Sequence, residues 1–389
     1  MKFKLALVAA AIMSCGVANS AEPTNQELLD LIKKQQQELK ELRNAVEESD
    51  KKSEETIKAV EANMSASNTS NVSLGGYGEL HYNNIEDNES IDFHRFVLFM
   101  GYEYSDDIRF FSELEVEHSL AGDGKPGEVE LEQAYVEIDL NDTTSVKSGL
   151  FLVPVGILNE THEPPTFYGV ERNPVEGKII PSTWWEAGAM VNHKIADGVS
   201  FDFAINSGLE VPNDAGVYDF NIRSGRQKVA KANADSLAYT ARLKYTAVPG
   251  LELAASVQHQ SDLTQGVLSA DANLYTAHAI YNTGGFGLRA LYAMWDIDAF
   301  EADVNGQDKQ EGFFVEPSYR FNDKFGIFAR YNEWDNQAGS GNLVDTTMQQ
   351  TNVGFNYWPH EDVVFKFDLE SRSGAQDGNG FNLGVGYQF

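Results

Sequence analysis

The residues of this 389-residue chain with the most chemical capacity crowd into one stretch, NETHEPPTFYGVERNPVEGKIIPSTWWE, residues 159–186. Within it THEPPT sets His162 beside Glu163, as a helical HExxH zinc site would, but the second histidine is missing and Pro164 and Pro165 preclude the helix. The eight histidines are scattered, and none pairs with another at metal-ligand spacing on one strand with a third ligand nearby. GGYG and GGFG do not lead into helices, so they are not phosphate-cradling loops. A Ser-His-Asp site, as in barrel phospholipases, would have to be assembled from distant strands, with no local signal asking for it. No metal, no cofactor and no catalytic step are expected. A formal net charge of −30 argues against nucleic acid.

The stretch still carries both signs of charge at Glu160, His162, Glu163, Glu171, Arg172, Glu176 and Lys178. Pro164, Pro165, Pro174 and Pro181 stiffen it, and Phe167, Tyr168, Trp184 and Trp185 need a surface to pack on. Loops of this length without structure of their own are functional or disordered, and the aromatics oppose disorder. Charged side chains gathered at a narrowing set ion preference in channels. The expectation is a loop, spanning about 157–185, folded into a wider aqueous passage.

The elements around it supply that passage. From Val72 onward sixteen segments read as strands: 73–82, 93–104, 108–118, 129–140, 144–155, 186–195, 199–207, 237–246, 251–260, 273–281, 286–295, 310–321, 325–334, 348–358, 362–370 and 380–389. Most approach the ~9–11 residues that a tilted membrane-spanning strand requires. Alternation is clearest at Phe96-Leu98-Met100-Tyr102-Tyr104, Phe201-Phe203-Ile205 and Val363-Phe365-Phe367-Leu369. The opposite faces carry charges that a dry core would reject but a water-filled lumen accepts. Expected lumen-side residues are Arg95, Arg109, Lys147, Arg242, Lys244, Arg289, Arg320, Arg330 and Lys366. Interleaved with them are Glu113, Glu115, Glu117, Glu137, Asp202, Glu316, Asp368 and Glu370.

Short turns such as Ser105-Asp106-Asp107, Ala196-Asp197-Gly198 and Asn322-Asp323-Lys324 alternate with longer polar loops near 83–92, 119–128, 157–185, 208–236, 261–272, 296–309, 335–347 and 371–379. That asymmetry belongs to outer-membrane barrels, with tight periplasmic turns and long external loops. The final FNLGVGYQF places Phe381, Leu383, Val385, Tyr387 and Phe389 on one face, a liability in water and an ordinary strand in lipid.

The first 71 residues differ. MKFKLALVAAAIMSCGVANSA, residues 1–21, is a secretory signal, with Cys15 as an acylated residue in the rival lipoprotein reading. Residues 22–64 place Leu28, Ile32, Gln35, Leu39, Leu42 and Val46 on a heptad seam that turns polar from Ser49 to Thr56. An N-terminal α-helical coiled coil, favouring three chains and lying in the periplasm, is expected there. SASNTSN, ending at residue 71, is a polar linker. The fold class is therefore an all-β membrane protein, a 16-stranded antiparallel transmembrane β-barrel over 72–389, preceded by the coiled coil.

GGYGELHYN (75–83), DFHRFVLFMGYEYSDDIRFFSELEVEH (92–118), EVELEQAYVEIDL (128–140) and GLFLVPVGILNETHEPP (149–165) resemble the first half of the phosphate-selective porin O/P family. The resemblance implies a homotrimeric outer-membrane channel of sixteen strands, entered by a constriction loop after the Gly-Phe-x-x-Pro-x-Gly strand, here Gly149-Leu150-Phe151. Phosphate-selective members line the pore with arginines and lysines. Here all but −2 of the net charge falls within 72–389, and carboxylates beside the basic residues lower the potential that would draw phosphate. Phosphate is thus implied by resemblance only, and a mixed or cation-leaning pore for small hydrophilic solutes or ions is equally expected. Arg223, Arg226, Lys228 and Lys231 offer either an anion-attracting mouth or a solvated face. The partners expected are further copies of the chain, outer-membrane lipid and lipopolysaccharide. The alternatives are a barrel hydrolase and a structural barrel held by its stalk.

Overall fold

The structure, a computed structural model, describes residues 71–389 apart from 87, 212, 215 and 216. The signal, the coiled coil of 22–64 and the linker as far as residue 70 lie outside the described residues.

Sixteen strands follow one another around a closed antiparallel barrel: β1 (Val72–Ile85), β2 (Asn88–Ser105), β3 (Ile108–Glu117), β4 (Val129–Asn141), β5 (Thr144–Leu152), β6 (Trp185–Ala196), β7 (Val199–Asn206), β8 (Ala238–Val248), β9 (Leu251–Gln260), β10 (Asp271–Thr283), β11 (Phe286–Asp298), β12 (Lys309–Asn322), β13 (Phe325–Asp335), β14 (Met348–His360), β15 (Val363–Gly374) and β16 (Gly378–Gln388). β16 closes on β1, with Tyr77 opposite Gln388 and Ile85 opposite Gly380. The terminal Phe389 continues the seam: its N–H donates to Gly76 O and its carbonyl accepts from Gly76 N, both at 2.9 Å. Closure leaves no edge strand, which a bilayer requires.

Burial is inverted relative to a soluble sheet. Along β7, Phe201, Phe203 and Ile205 are 36–37% exposed, whereas Asp202 and Asn206 are 1% exposed. Along β15, Phe365 and Leu369 face out while Lys366, Asp368 and Glu370 are buried. The outward apolar faces end near the short turns in exposed aromatics, including Tyr102, Tyr104, Tyr281, Tyr319, Phe321 and Tyr357. Such girdles mark a bilayer interface.

Boundaries depart from the sequence reading at several places, three of which bear on the lumen and its loops. β1 and β2 run on through the expected loop 83–92, with Asn83 paired to Ser90 and Ile85 to Asn88. β15 and β16 likewise shorten the last loop to residues 375–377. Polar side chains there do not interrupt a ladder whose backbone groups satisfy one another. β5 stops at Leu152 instead of 155, because Pro154 has no N–H to donate to the ladder.

The interior also holds an apolar cluster that strand alternation did not announce. Leu274 of β10, Leu291, Trp295 and Ile297 of β11, Phe314 of β12 and Trp334 of β13 point inward near the long-loop end. Residues 153–184 and the loop from Ser207 to Leu237 pack on them through Val155, Ile179, Ile180, Trp184, Phe220 and Ile222, all nearly or fully buried.

Candidate pore constriction

The loop between β5 and β6 is closed at its base by one side chain. Asn159 donates to Val153 O at 2.8 Å and Trp184 O at 2.9 Å, and its Oδ1 accepts from Trp184 N at 2.7 Å. A second carboxamide starts the short helix α1 (Val175–Lys178): Asn173 Oδ1 accepts from Glu176 N, and Asn173 Nδ2 donates back to Glu176 Oε2. Such reciprocal bonding satisfies a helix-start N–H that would otherwise be orphaned. Trp295 of β11 donates its Nε1–H to Ile179 O at 2.9 Å, pinning the helix to the apolar wall.

From that base the loop crosses the barrel interior and bonds to strands on several sides. Arg289 Nη2 of β11 donates to Thr166 O at 2.7 Å, and Arg330 Nη2 of β13 to Tyr168 O at 2.7 Å. Asn356 Nδ2 of β14 donates to Phe167 O, and Val170 N donates to Asp368 Oδ2 of β15. Glu171 reaches His81 and Asn83 of β1, each at 3.0 Å. Gly169 sits at φ +83°, and a Cβ there would come 2.3 Å from Arg330 Nη2, so only glycine lets the backbone pass. Two aqueous cavities flank the crossing. The larger, about 830 Å³, opens toward the long loops, and one of about 360 Å³ lies on the short-turn side, lined by Lys147, Glu160 and His162.

Within the loop, charge is held in several ways. Glu160 pairs with Arg242 of β8, which also binds Asp202 at 2.7 Å. Glu163 borders the smaller cavity, and Arg172 and Lys178 border the larger. Burial would raise the Glu171 carboxyl, but the facing His81 outweighs it and holds the group down at about 2. His162 and Glu176, expected to face the water path, are instead almost fully buried. Glu176 accepts from the N–H groups of Ile157 at 2.5 Å and Leu158 at 2.7 Å, and burial raises its pKa. It is an internal brace: two backbone donors and a carboxamide replace its water.

The strand charges are mostly neutralised where they stand. Arg95 lies 2.8 Å from Glu79 and 3.5 Å from Glu115, and Arg330 lies 2.9 Å from Glu316. Arg109 binds Glu137 and Asp139 at the short-turn end. Lys147 lies over the Tyr135 ring and Lys366 over the Phe167 ring. Lys244, two residues beyond Arg242, is half-buried. Arg320 lies over Trp358 and donates to Asn322 O and Asp323 O, an exposed position at the short-turn rim.

Two arginines of the loop after β7 turn inward. Arg223 donates to Ser182 O at 2.6 Å and Arg226 to Thr183 O at 2.5 Å, while Arg172 donates to Thr183 Oγ1 at 2.8 Å. These three guanidiniums converge on two adjacent residues, and among the described residues none has a carboxylate within ion-pair distance. Partial desolvation against the loop, with Arg226 and Arg172 close by, pushes the Arg223 pKa down to about 10, and the side chain, still largely exposed to the lumen, stays charged at neutral pH. Lys228, from the same stretch, is taken up by Glu128 and Glu130.

Residues 72–377 match the family described as phosphate-selective porin O and P. The chain belongs to this family. It is an outer-membrane porin, a channel for passive diffusion of solutes or ions. An uncharacterized protein of Aquifex aeolicus (strain VF5) is 28% identical over 354 residues, covering 82% of this chain and 80% of its own. The anion-selective porin from Comamonas acidovorans has a TM-score of 0.60 at 13% identity, over 82% of this chain and 100% of that one. OmpT of Vibrio cholerae in its trimer form gives 0.53 at 12% identity, over 82% and 99%. At these identities the two structures support the fold alone.

Some residues of this porin's interior escaped sequence reading. Glu79 and His81, and Glu128, Glu130 and Glu132, alternate along β1 and into β4, so period two would have put them on the inner face. Nothing local separates Arg223 and Arg226, which turn inward, from Lys231.

Proposed function

We propose that residues 153–184 form the constriction of this porin and that small hydrophilic solutes and ions diffuse past them without a catalytic step. The observation that carries this reading is the hydrogen bonding of one loop to β1, β11, β13, β14 and β15, which requires it to cross the interior. A sixteen-stranded barrel is otherwise wide enough to leave an open channel. Glu160, Glu163, Glu171, Arg172 and Lys178 border the narrowed path, with Arg95, Arg242, Arg330 and Lys366 in the wall. Paired wall charges give little net field, so the contact offered to passing anions, phosphate among them, is the group Arg172, Arg223 and Arg226. Carboxylates on the same cavity, including Glu117 and Glu132, make the preference for anions weak.

In this reading the chain works as a homotrimer embedded in outer-membrane lipid. Its long loops meet lipopolysaccharide and its first strand begins on the periplasmic side. Deletion of residues 160–180 tests the constriction in planar bilayers: single-channel conductance rises and ion preference falls. Unchanged conductance and selectivity would place the loop outside the conducting path.

A further inference from the structure

His162 of the constriction loop meets Glu113 of β3 and Glu132 of β4 in a buried pocket, each residue at most 3% exposed. His162 Nε2 lies 3.4 Å from Glu113 Oε1 and 3.7 Å from Glu132 Oε2. None of these three atoms makes a hydrogen bond. The Tyr77 hydroxyl, whose ring centroid lies 5.9 Å from that of His162, is also without a hydrogen-bond partner, while the second atoms of His162 and Glu113 are committed. His162 Nδ1 is 3.3 Å from Asn159 O, an acceptor that assigns the ring proton to Nδ1 and turns the Nε2 lone pair toward the carboxylates. Gln133 donates to the second oxygen of Glu113 at 2.7 Å. An imidazole whose remote N–H is held by a carbonyl, and a carboxylate oriented by an amide, are the outer supports usual around a bound metal.

Three electron-pair donors facing one another in a buried space repel unless something positive lies between them. Among the described residues no guanidinium is within ion-pair distance of Glu113 or Glu132; Arg95 is taken by Glu79 and Glu115, and Arg172 is turned to Thr183. A proton on Nε2 would draw a carboxylate in to roughly 2.7–2.9 Å. Ligand atoms about 2.0–2.2 Å from a tetrahedral ion stand roughly 3.3–3.6 Å apart, close to the spacings seen. Two carboxylates also balance the charge of one divalent ion. One nitrogen and two oxygens suit the first-row transition series and zinc, where magnesium and calcium take oxygen alone. The pocket lies between the two cavities, Glu132 bordering the larger and Glu113 and His162 the smaller.

We propose that Glu113, Glu132 and His162 bind a divalent cation of the zinc class, with water as a further ligand, and that this ion fastens the loop to the β3–β4 wall. The test uses the intact oligomer in detergent, stripped with EDTA, re-equilibrated with zinc chloride and dialysed, beside His162→Ala and Glu113→Gln/Glu132→Gln variants. The expected result is a loss of about one zinc per chain in each variant, with magnesium failing to displace it from the unaltered protein. Comparing variants separates this site from Asp92, His94 and His118, which also lie together. Equal zinc content in the unaltered protein and His162→Ala overturns the proposal. Should the variants fail to assemble, as judged by heat-modifiable gel mobility, zinc K-edge absorption of an oligomer carrying His94→Ala, His118→Ala and His360→Ala decides: an imidazole with carboxylates supports the site, and a spectrum without imidazole rejects it.

Discussion

Two stretches of the barrel wall face the same lumen with opposite chemistry. On β15, β16 and β1–β4 the inward positions are Lys366, Asp368, Glu370, Asn382, Glu79, Arg95, Glu113 and Glu132. On the long-loop half of β10 and β11 they are Ala272, Leu274, Leu291, Ala293, Trp295 and Ile297. Both sets are buried, but by different partners. The polar set is covered by its own ion pairs, by carboxamides and by the water path. The apolar set is covered by the two inward loops, whose Ile179, Ile180, Trp184, Phe220 and Ile222 complete a small dry core inside a wet barrel. The difference separates two tasks: one wall anchors the constriction by burial, and the other meets it with directional bonds while carrying charge past the solute path.

The comparison can be broken most directly at Trp295. Trp295→Ala removes a fully buried indole and its bond to Ile179 O, and about 3–5 kcal/mol of packing should be lost. Limited proteolysis within 160–180 and a lower urea midpoint should report it; an intact loop and unchanged midpoint would mean the apolar wall does not hold the loop. The counterpart on the polar side is Arg330→Gln, which breaks the Glu316 pair and the bonds to Tyr168 O and Glu171 O. A smaller loss, about 1–3 kcal/mol, is expected together with a reversal potential shifted toward cations. A stability cost equal to that of Trp295→Ala with no change in reversal potential would erase the distinction between the walls.

The smallest effect concerns pH. Glu171 is held at about 2 in the folded loop, below the ordinary carboxyl range, so the folded state favours its ionised form. Its contribution is intact above that range and lost as pH falls through about 2. Open-channel noise should therefore increase on acidification below about pH 4, and Glu171→Gln should show the raised noise at neutral pH. A variant that behaves like the unaltered chain at pH 7 would remove the His81 tie from the account.

How much of this was legible depended on whether each side of a strand had one environment or two. On β7 and β15 lipid lies outside and charge inside, so period two stands out in Phe201-Asp202-Phe203 and Phe365-Lys366-Phe367-Asp368. On β11, ArgAlaLeuTyrAlaMetTrp from residue 289 is apolar on both faces, because lipid touches one and folded loops the other. Alternation vanishes there, and the inner core could not be inferred. Proline and aromatic content marked 157–185 as an inward loop candidate, yet residue type gave no means to tell Glu176, bound by backbone amides, from Glu163 beside a cavity.

Strand positions and barrel closure were already legible in the sequence, because hydrophobic period and turn residues are local properties and a bilayer punishes any unpaired backbone. The pairing of Arg95 with Glu79, the convergence of Arg172, Arg223 and Arg226, and the meeting of His162 with Glu113 and Glu132 were decided only by the tertiary structure. Those groups lie tens of residues apart in most cases, and Coulomb and ligand contacts act over a few ångströms of space, whatever the distance along the chain.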